Sequence, residues 1–340
     1  MIPKTVQTKL LAVMLATTTT TYAEVVLDGT LGPQAELAGI ETNGWTEFKI
    51  TDNLGKQIGD NLFHSFAKFN INTGEIASFS GPDTIQNVIS RVTGGESSYI
   101  DGDLHSSMPN ADMYLLNPAG VMFGPNAWLD IQGSLHVSTA DYLRLGTEGR
   151  FDATYPERSV LTVAPPSAFG FLSESPTPSG VSKQSGFLSV PRGKMLSFIG
   201  GDLTLQDSQF PTEYGPLNSY MMAPDGQINL VSVASSGEIP VNFTEIPNNA
   251  FAKFGKIVIT DNTDGLNNSS RQFANVDVSG NGGGSIYIIG GEIVLDNGYV
   301  WADTLGNEEG QGITIKATES YTIGFLASYW RFLCNSKIYS

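Results

Sequence analysis

The sequence predicts an all-β chain wound as a β-solenoid, and three observations carry that prediction. From Leu115 to Asp141 it reads strand, turn, strand, turn, strand. Asn117-Pro118-Ala119-Gly120 and, seven residues later, Gly124-Pro125-Asn126-Ala127 set Asn, Pro and Gly where tight turns want them. The run Val121-Met122-Phe123 between the turns and the alternating Trp128-Leu129-Asp130-Ile131 after them are too short for helices and read as strands. Farther on, Gly-led alternating strands recur at 193–205, 226–233 and 255–260. Ser285–Ile288 and Ile313–Ile315 stand about one coil apart, with strands at 292–295 and 299–302 between them, giving three strands per turn. Finally, only 15% of the 340 residues are charged while 38 are glycine, a balance that suits turn-rich β structure.

Taken in order, residues 1–23 have the build of a secretory signal peptide. Lys4 and Lys9 precede the apolar core Leu10–Ala16, and Thr21-Tyr22-Ala23 resembles a cleavage site. No later stretch reaches the ~18 apolar residues of a membrane helix. Trp45–Thr51 alternates as a half-buried strand does, and Asp52-Asn53-Leu54-Gly55 turns the chain. An aromatic-rich segment, Asn61–Ile71, and the strand Ile76–Phe79 come next. Thr84–Arg91 carries apolar residues at 85, 88, 89 and 92, a spacing open to either a helical turn or a strand. Asp101-Gly102 marks a tight turn, and Ala111–Leu116 is the strand entering the first of the paired turns. From Thr147 the texture changes to a Pro/Ser-rich excursion at 155–180. Beyond residue 320 the Gly punctuation disappears, so 321–340 is expected to be an off-pattern, truncated tail.

The residues from about Val26 to about Leu145 closely resemble the N-terminal haemagglutination-activity (two-partner secretion) domain of filamentous-haemagglutinin-type exoproteins. The resemblance runs through Leu62-Phe63-His64-Ser65-Phe66-Ala67-Lys68-Phe69-Asn70-Ile71, Arg91-Val92-Thr93-Gly94-Gly95 and Asn117-Pro118-Ala119-Gly120-Val121. The last of these stands where the family has its hallmark Asn-Pro-Asn-Gly-Ile; Ala119 drops one turn-forming side chain but Pro118 and Gly120 remain. A second family motif, Asn-Pro-Asn-Leu, is not carried over, because Gly81-Pro82-Asp83 stands in its place. Ala168–Leu172 resembles the segment that the family shows just past its secretion domain.

The resemblance implies a right-handed single-stranded parallel β-helix with an N-terminal cap and short extra-helical β-hairpins. It implies a secretion domain at 24–147, with continuing coils of an exoprotein at 148–320. The partner implied is an outer-membrane transporter of the two-partner secretion pathway. The chain would be secreted through the periplasm to the exterior or the cell surface. There it would act as an adhesin- or haemagglutinin-like exoprotein, with host or neighbouring-cell surface glycans or proteins as further partners.

No residue pattern asks for catalysis, a cofactor or a metal. The formal charge of −16 disfavours nucleic acid and anionic membranes. Cys334 is the single cysteine, so no internal disulfide forms, which fits a chain threaded unfolded through a membrane. His64, His105 and His136 show no metal spacing. His136, Ser138 and Asp141 offer the residue types of a triad, but Asp141 is not placed to orient the imidazole. Asp101 and Asp103 around Gly102, and Asp261, Asn262 and Asp264 before Gly265, fit turn chemistry better than a calcium loop. Gly280–Gly284 has no Lys or helix start behind it and reads as a turn. Asn117 and Asn126 are expected to be buried in successive coils, bonding turn backbone, so that recognition rests on the folded segment. Two other functions share the scaffold. A β-helical polysaccharide-degrading enzyme needs clustered carboxylates with a nearby Arg or Lys on one strand face, which is not evident here. A structural surface protein needs no site at all.

Overall fold

The computed structural model describes residues 24–172, 177–184, 186–206, 211–212, 215–216, 219–243, 245–246, 249–260, 274–296, 298–324 and 337–339. The expected signal peptide at 1–23, the acidic turn at 261–265 and Cys334 lie outside these residues. Among the described residues, regular structure is strand throughout, apart from single 3-10 turns at Asp52–Leu54 and Pro156–Arg158.

The strands form three columns that the chain visits in turn. In the first, Asn61–Phe69, Asn87–Val92, Asp112–Leu116, Leu135–Ser138, Met195–Gly200, Gln227–Ser232 and residues 285–289 stack in parallel. The second runs from Ser98–Ile100 through Val121–Phe123, Val181–Gln184, Leu203–Gln206 and Lys256–Thr260 to residues 292–296, again parallel. The third has two parallel blocks. Trp45–Thr51, Glu75–Ser80, Asp103–Ser106 and Trp128–Asp130 make one; Phe187–Ser189, Ser219–Met222, Ala274–Asp277 and Tyr299–Trp301 make the other. One visit to each column per coil is a parallel β-helix. Residues 321–324 still pair in register with 293–296, and Lys337–Tyr339 adds a parallel rung on Thr314–Lys316.

The pleat explains why these residues do this. Leu62, Val88, Met113, Leu135, Leu196, Ile228 and Ile286 are mutual register partners down the first column, and all are buried in the central core. Their sequence neighbours point the other way, since successive side chains of a strand alternate. Here that outer face is buried as well. Phe63, Ile89, Tyr114 and Leu116 meet Leu143, Phe151, Phe169 and Ile239 in a second core.

That second core is covered by a four-stranded antiparallel sheet lying outside the coils. Tyr142–Leu145 pairs with Gly149–Asp152 on one side and Pro166–Phe171 on the other, and Gly237–Pro240, arriving from a later coil, completes it. Residue 147 therefore falls inside a hairpin of this sheet. The extra-helical structure is more than short hairpins, and it makes the sheets mixed in direction. The strand Asn87–Val92 resolves the ambiguity at 84–91: both its faces are buried, so Val88 enters one core and Ile89 the other, imitating a helical spacing.

The N-terminal end is closed by antiparallel pairing. Val25–Asp28 lies between Gln34–Glu36 and Asn61–Phe69, turning an open rung into a capped one. Ile40–Thr42 then pairs with Trp45–Thr51 through Asn43 and Gly44, both at positive φ (53° and 87°), as a two-residue hairpin turn requires.

Phe198 is fully buried and stacks flat on Phe123 of the second column at 5.4 Å. Phe198→Ala should lower unfolding stability by about 3–5 kcal/mol, read as a fall in urea midpoint at unchanged slope. A loss below about 1 kcal/mol would mean that the coils do not share this core.

Candidate functional site: the corner at Asn117–Val121

Asn117-Pro118-Ala119-Gly120-Val121 forms the corner between Asp112–Leu116 of the first column and Val121–Phe123 of the second. Pro118 fixes φ at the second turn position, and the Gly120 amide donates to the Asn117 carbonyl at 3.0 Å, closing the turn. Gly120 sits at φ 119°, a left-handed conformation, and a Cβ there would lie 3.3 Å from the Gly180 carbonyl. The glycine is thus a backbone requirement.

Asn117 is fully buried and its side chain is spent on the turn. Its Oδ1 accepts from the Ala119 amide at 2.9 Å, while Nδ2 donates to the Glu96 carbonyl and to Ser98 Oγ, both at 3.0 Å. The backbone extends the same bonding in both directions: Ser98 N donates to Gly120 O, Asn117 N to Ser138 O and Val121 N to Gly180 O. Every amide of the corner has an acceptor in the protein. Only Pro118 and Ala119 are part-exposed, so Ala119, where the sequence departs from the family hallmark, is a surface position whose side chain the turn does not use. Val121 points into the core between Ser98 and Val181.

Asn126 departs from expectation. It is exposed, and its partners are side chains rather than turn backbone. Its amide N donates to Asp101 Oδ1 at 2.8 Å, and its Nδ2 lies 3.1 Å from Asp101 Oδ2 and 3.2 Å from Thr73 Oγ1. Asp101, itself buried, also accepts from Thr73 Oγ1 at 2.6 Å. One carboxylate braces three successive corners, and a Cβ on Gly124 would run into it. That is a structural duty for Asp101. Asp103 points outward on the third column.

The triad residue types do not converge. His136 stacks on Tyr114 at 4.7 Å and its Nδ1 is 3.0 Å from Ser197 Oγ. Ser138 Oγ accepts from the Ala140 amide, whereas Asp141 takes Thr154 Oγ1 at 2.6 Å and the Leu172 amide at 2.7 Å. No group of three or more His, Cys, Asp or Glu side chains among the described residues is arranged to hold a metal.

Arg91 is the residue whose role the sequence did not disclose. It is 1% exposed and joins three parts of the fold. Nε donates to Ser65 Oγ at 2.7 Å, NH2 to Thr30 Oγ1 at 2.9 Å, and NH1 to Ser159 Oγ at 2.8 Å and to the Asp152 carbonyl. Its guanidinium lies 4.3 Å from the centre of the Phe151 ring. Burial pushes its pKa down to about 10 against the pull of Asp28, Asp152 and Glu157, which leaves it charged at neutral pH. Ser65 passes the link on to Asp28 Oδ2 at 2.6 Å. A lone arginine among apolar neighbours, Val88, Ile89 and Val92, was the available signal.

A family model described as the TPS secretion domain matches residues 23–288 of this chain. Among solved structures, the chain is similar to the HMW1 secretion domain from Haemophilus influenzae, at 16% identity over 86% of this chain and 83% of that one, with a TM-score of 0.39. It is similar as well to a filamentous hemagglutinin secretion domain, at 16% identity over 86% and 95% of the two chains, with a TM-score of 0.42. No curated protein matches it.

Burial makes two histidines acid-sensitive. His64 and His136 are enclosed, and loss of hydration pushes both pKa values down to about 4, against ~6.5 in an unfolded chain. Between these values the unfolded state binds more protons. Their contribution is therefore complete above pH ~6.5 and is lost as pH falls toward 4. Urea midpoints of wild type should fall steeply from about pH 6.5 to about pH 4.5, and the double variant His64→Leu, His136→Gln should flatten that fall. An identical slope in both proteins would contradict the assignment.

Proposed function

The chain belongs to the TPS secretion domain family, and on that premise we propose that it is a two-partner secretion exoprotein whose Asn117–Val121 corner serves export as a folded shape. Exoproteins of this kind are handed to an outer-membrane transporter, and that transporter is the partner we assign. The observation that carries the reading is the saturation of the corner: Asn117 spends its side chain on Ala119, Glu96 and Ser98, leaving only Pro118 and Ala119 facing solvent. A transporter therefore meets a rigid turn flanked by its neighbouring corners, not a free asparagine.

The remaining assignments rest on the same premise. Residues 1–23 act as the signal peptide that takes the chain to the periplasm. The family match runs to residue 288, past the hairpin at 142–152, so the exported unit is taken to include the flanking sheet along with the coils at 24–147. The exported rod is taken as an adhesin-like surface protein that performs no reaction. Coil-by-coil burial of apolar side chains outside the cell would help draw the chain through the pore.

Co-expression with the cognate transporter tests the proposal. Wild type should reach the medium only when the transporter is present. Asn117→Ala, which orphans buried polar groups at a cost of about 1–3 kcal/mol, and Gly120→Val should each cut the secreted fraction at least about tenfold. Phe198→Ala, the more destabilising change at about 3–5 kcal/mol, should export better than either. Normal export of both corner variants, or export ranked by stability alone, would defeat the corner's role.

A further inference from the structure

Tryptophan is highly buried on average. The three tryptophans among the described residues, Trp45, Trp128 and Trp301, are instead 46%, 48% and 47% exposed. All three stand on the outward face of the third column. The registers align their neighbours. Glu47, Ile76, Asp103 and Trp128 form one outward line across four coils. Trp128 stacks on Phe187 at 5.5 Å, and the line continues in register through Tyr220, Asn275 and Tyr299. Beside it stand Lys49, Ser78, His105 and Asp130 and, farther along, Asp277 and Trp301.

At its N-terminal end this face deepens into a cleft. The hairpin turning at Asn43 and Gly44 stands beside the column and flanks an open cleft of about 400 Å³, with Trp45, Glu47, Asp103, His105 and Asp130 among its lining. His105 Nδ1 lies 2.8 Å from Asp130 Oδ2, which fixes the imidazole against the floor. Partial burial and the neighbouring Asp130 carboxylate raise the pKa of Asp103. A few polar groups converging beside an aromatic wall are the makings of a binding site.

We propose that the outward face of the third column is a binding track for a neutral polysaccharide lying along the axis of the coils. A sugar ring offers a C–H face to an aromatic plane and hydroxyls to carboxylates at its edge, and this strip supplies both. Glu47, Asp103, Asp130 and Asp277 outnumber Lys49 on the strip, so an anionic polymer is repelled. A protein partner fits less well, because interface cores are depleted of charge whereas carboxylates here interleave with the rings. Rungs repeating every ~4.8 Å suit a ligand that is itself a linear repeat, so weak contacts add along its length. The track is independent of export, since it occupies a different face and needs the folded protein alone.

Affinity electrophoresis of the full chain in gels containing hydroxyethylcellulose or galactomannan tests it, with polygalacturonate as the anionic comparator. The neutral polymers should retard the protein and polygalacturonate should not. Trp128→Ala and Trp45→Ala should each weaken retardation at least about tenfold, a loss of ~1.4 kcal/mol. Met122→Ala, exposed on the second column, should leave it unchanged. Failure of both neutral polymers to retard the protein would overturn the inference. So would equal retardation of the tryptophan variants, stronger retention by polygalacturonate, or a change in sedimentation with Trp128→Ala, which would assign the face to contacts between copies.

Discussion

The whole molecule depends on one constraint: a coil of a parallel β-helix satisfies its backbone only against the coils above and below it. Register is then decided everywhere at once, because a slip of one residue would exchange the two faces of a strand. In the first column that exchange would drive the Leu62–Ile286 ladder out of the central core. The ends of such a ladder are its weak points. Antiparallel pairing of Val25–Asp28 meets that weakness at the N-terminal end. At the corners, where ladder bonding would otherwise lapse, Asn117 and Asp101 supply side-chain bonds that carry the register from one coil to the next.

The second core changes what the first column is. In a bare solenoid its outer face would be wet and polar. Here Phe63, Ile89 and Tyr114 are buried under the sheet built from Tyr142–Phe171 and Gly237–Pro240. A strand contributed by a later coil thus clamps earlier ones. Arg91 joins these parts on the same outer face, since its four donors reach coil, N-terminal cap and flanking sheet together. Removing it would strand buried acceptors in three places, while its charge is offset by Asp28 and Asp152.

The local parts were legible in the sequence and the non-local ones were not. Paired Asn, Pro and Gly turns with three-residue strands between them describe a coil on their own, because turn chemistry acts over four residues. The strand at 87–92 was ambiguous because two cores put adjacent residues inside. Of the flanking sheet's four strands only Pro166–Phe171 lies in the Pro/Ser-rich excursion at 155–180; its fourth comes from residues 237–240, and no local pattern announces a partner so distant. Asn117 stands first in its turn and is buried, whereas Asn126 stands third in its own and sits exposed on Asp101. The aromatic and acidic strip on the third column emerges only once register has brought Glu47, Asp103 and Trp128 into one line.

Residue-resolved hydrogen exchange on the full chain tests most directly whether the export corner is part of the ladder. Its amides, at Ala119, Gly120 and Val121, should exchange as slowly as those of the flanking strands Asp112–Leu116 and Val121–Phe123, and together with the Ser98 amide one coil away. Fast exchange at Ala119 and Gly120 beside slow flanking strands would show a free loop. The corner would then be no rigid, internally saturated turn, and its role as a folded shape would fall with it.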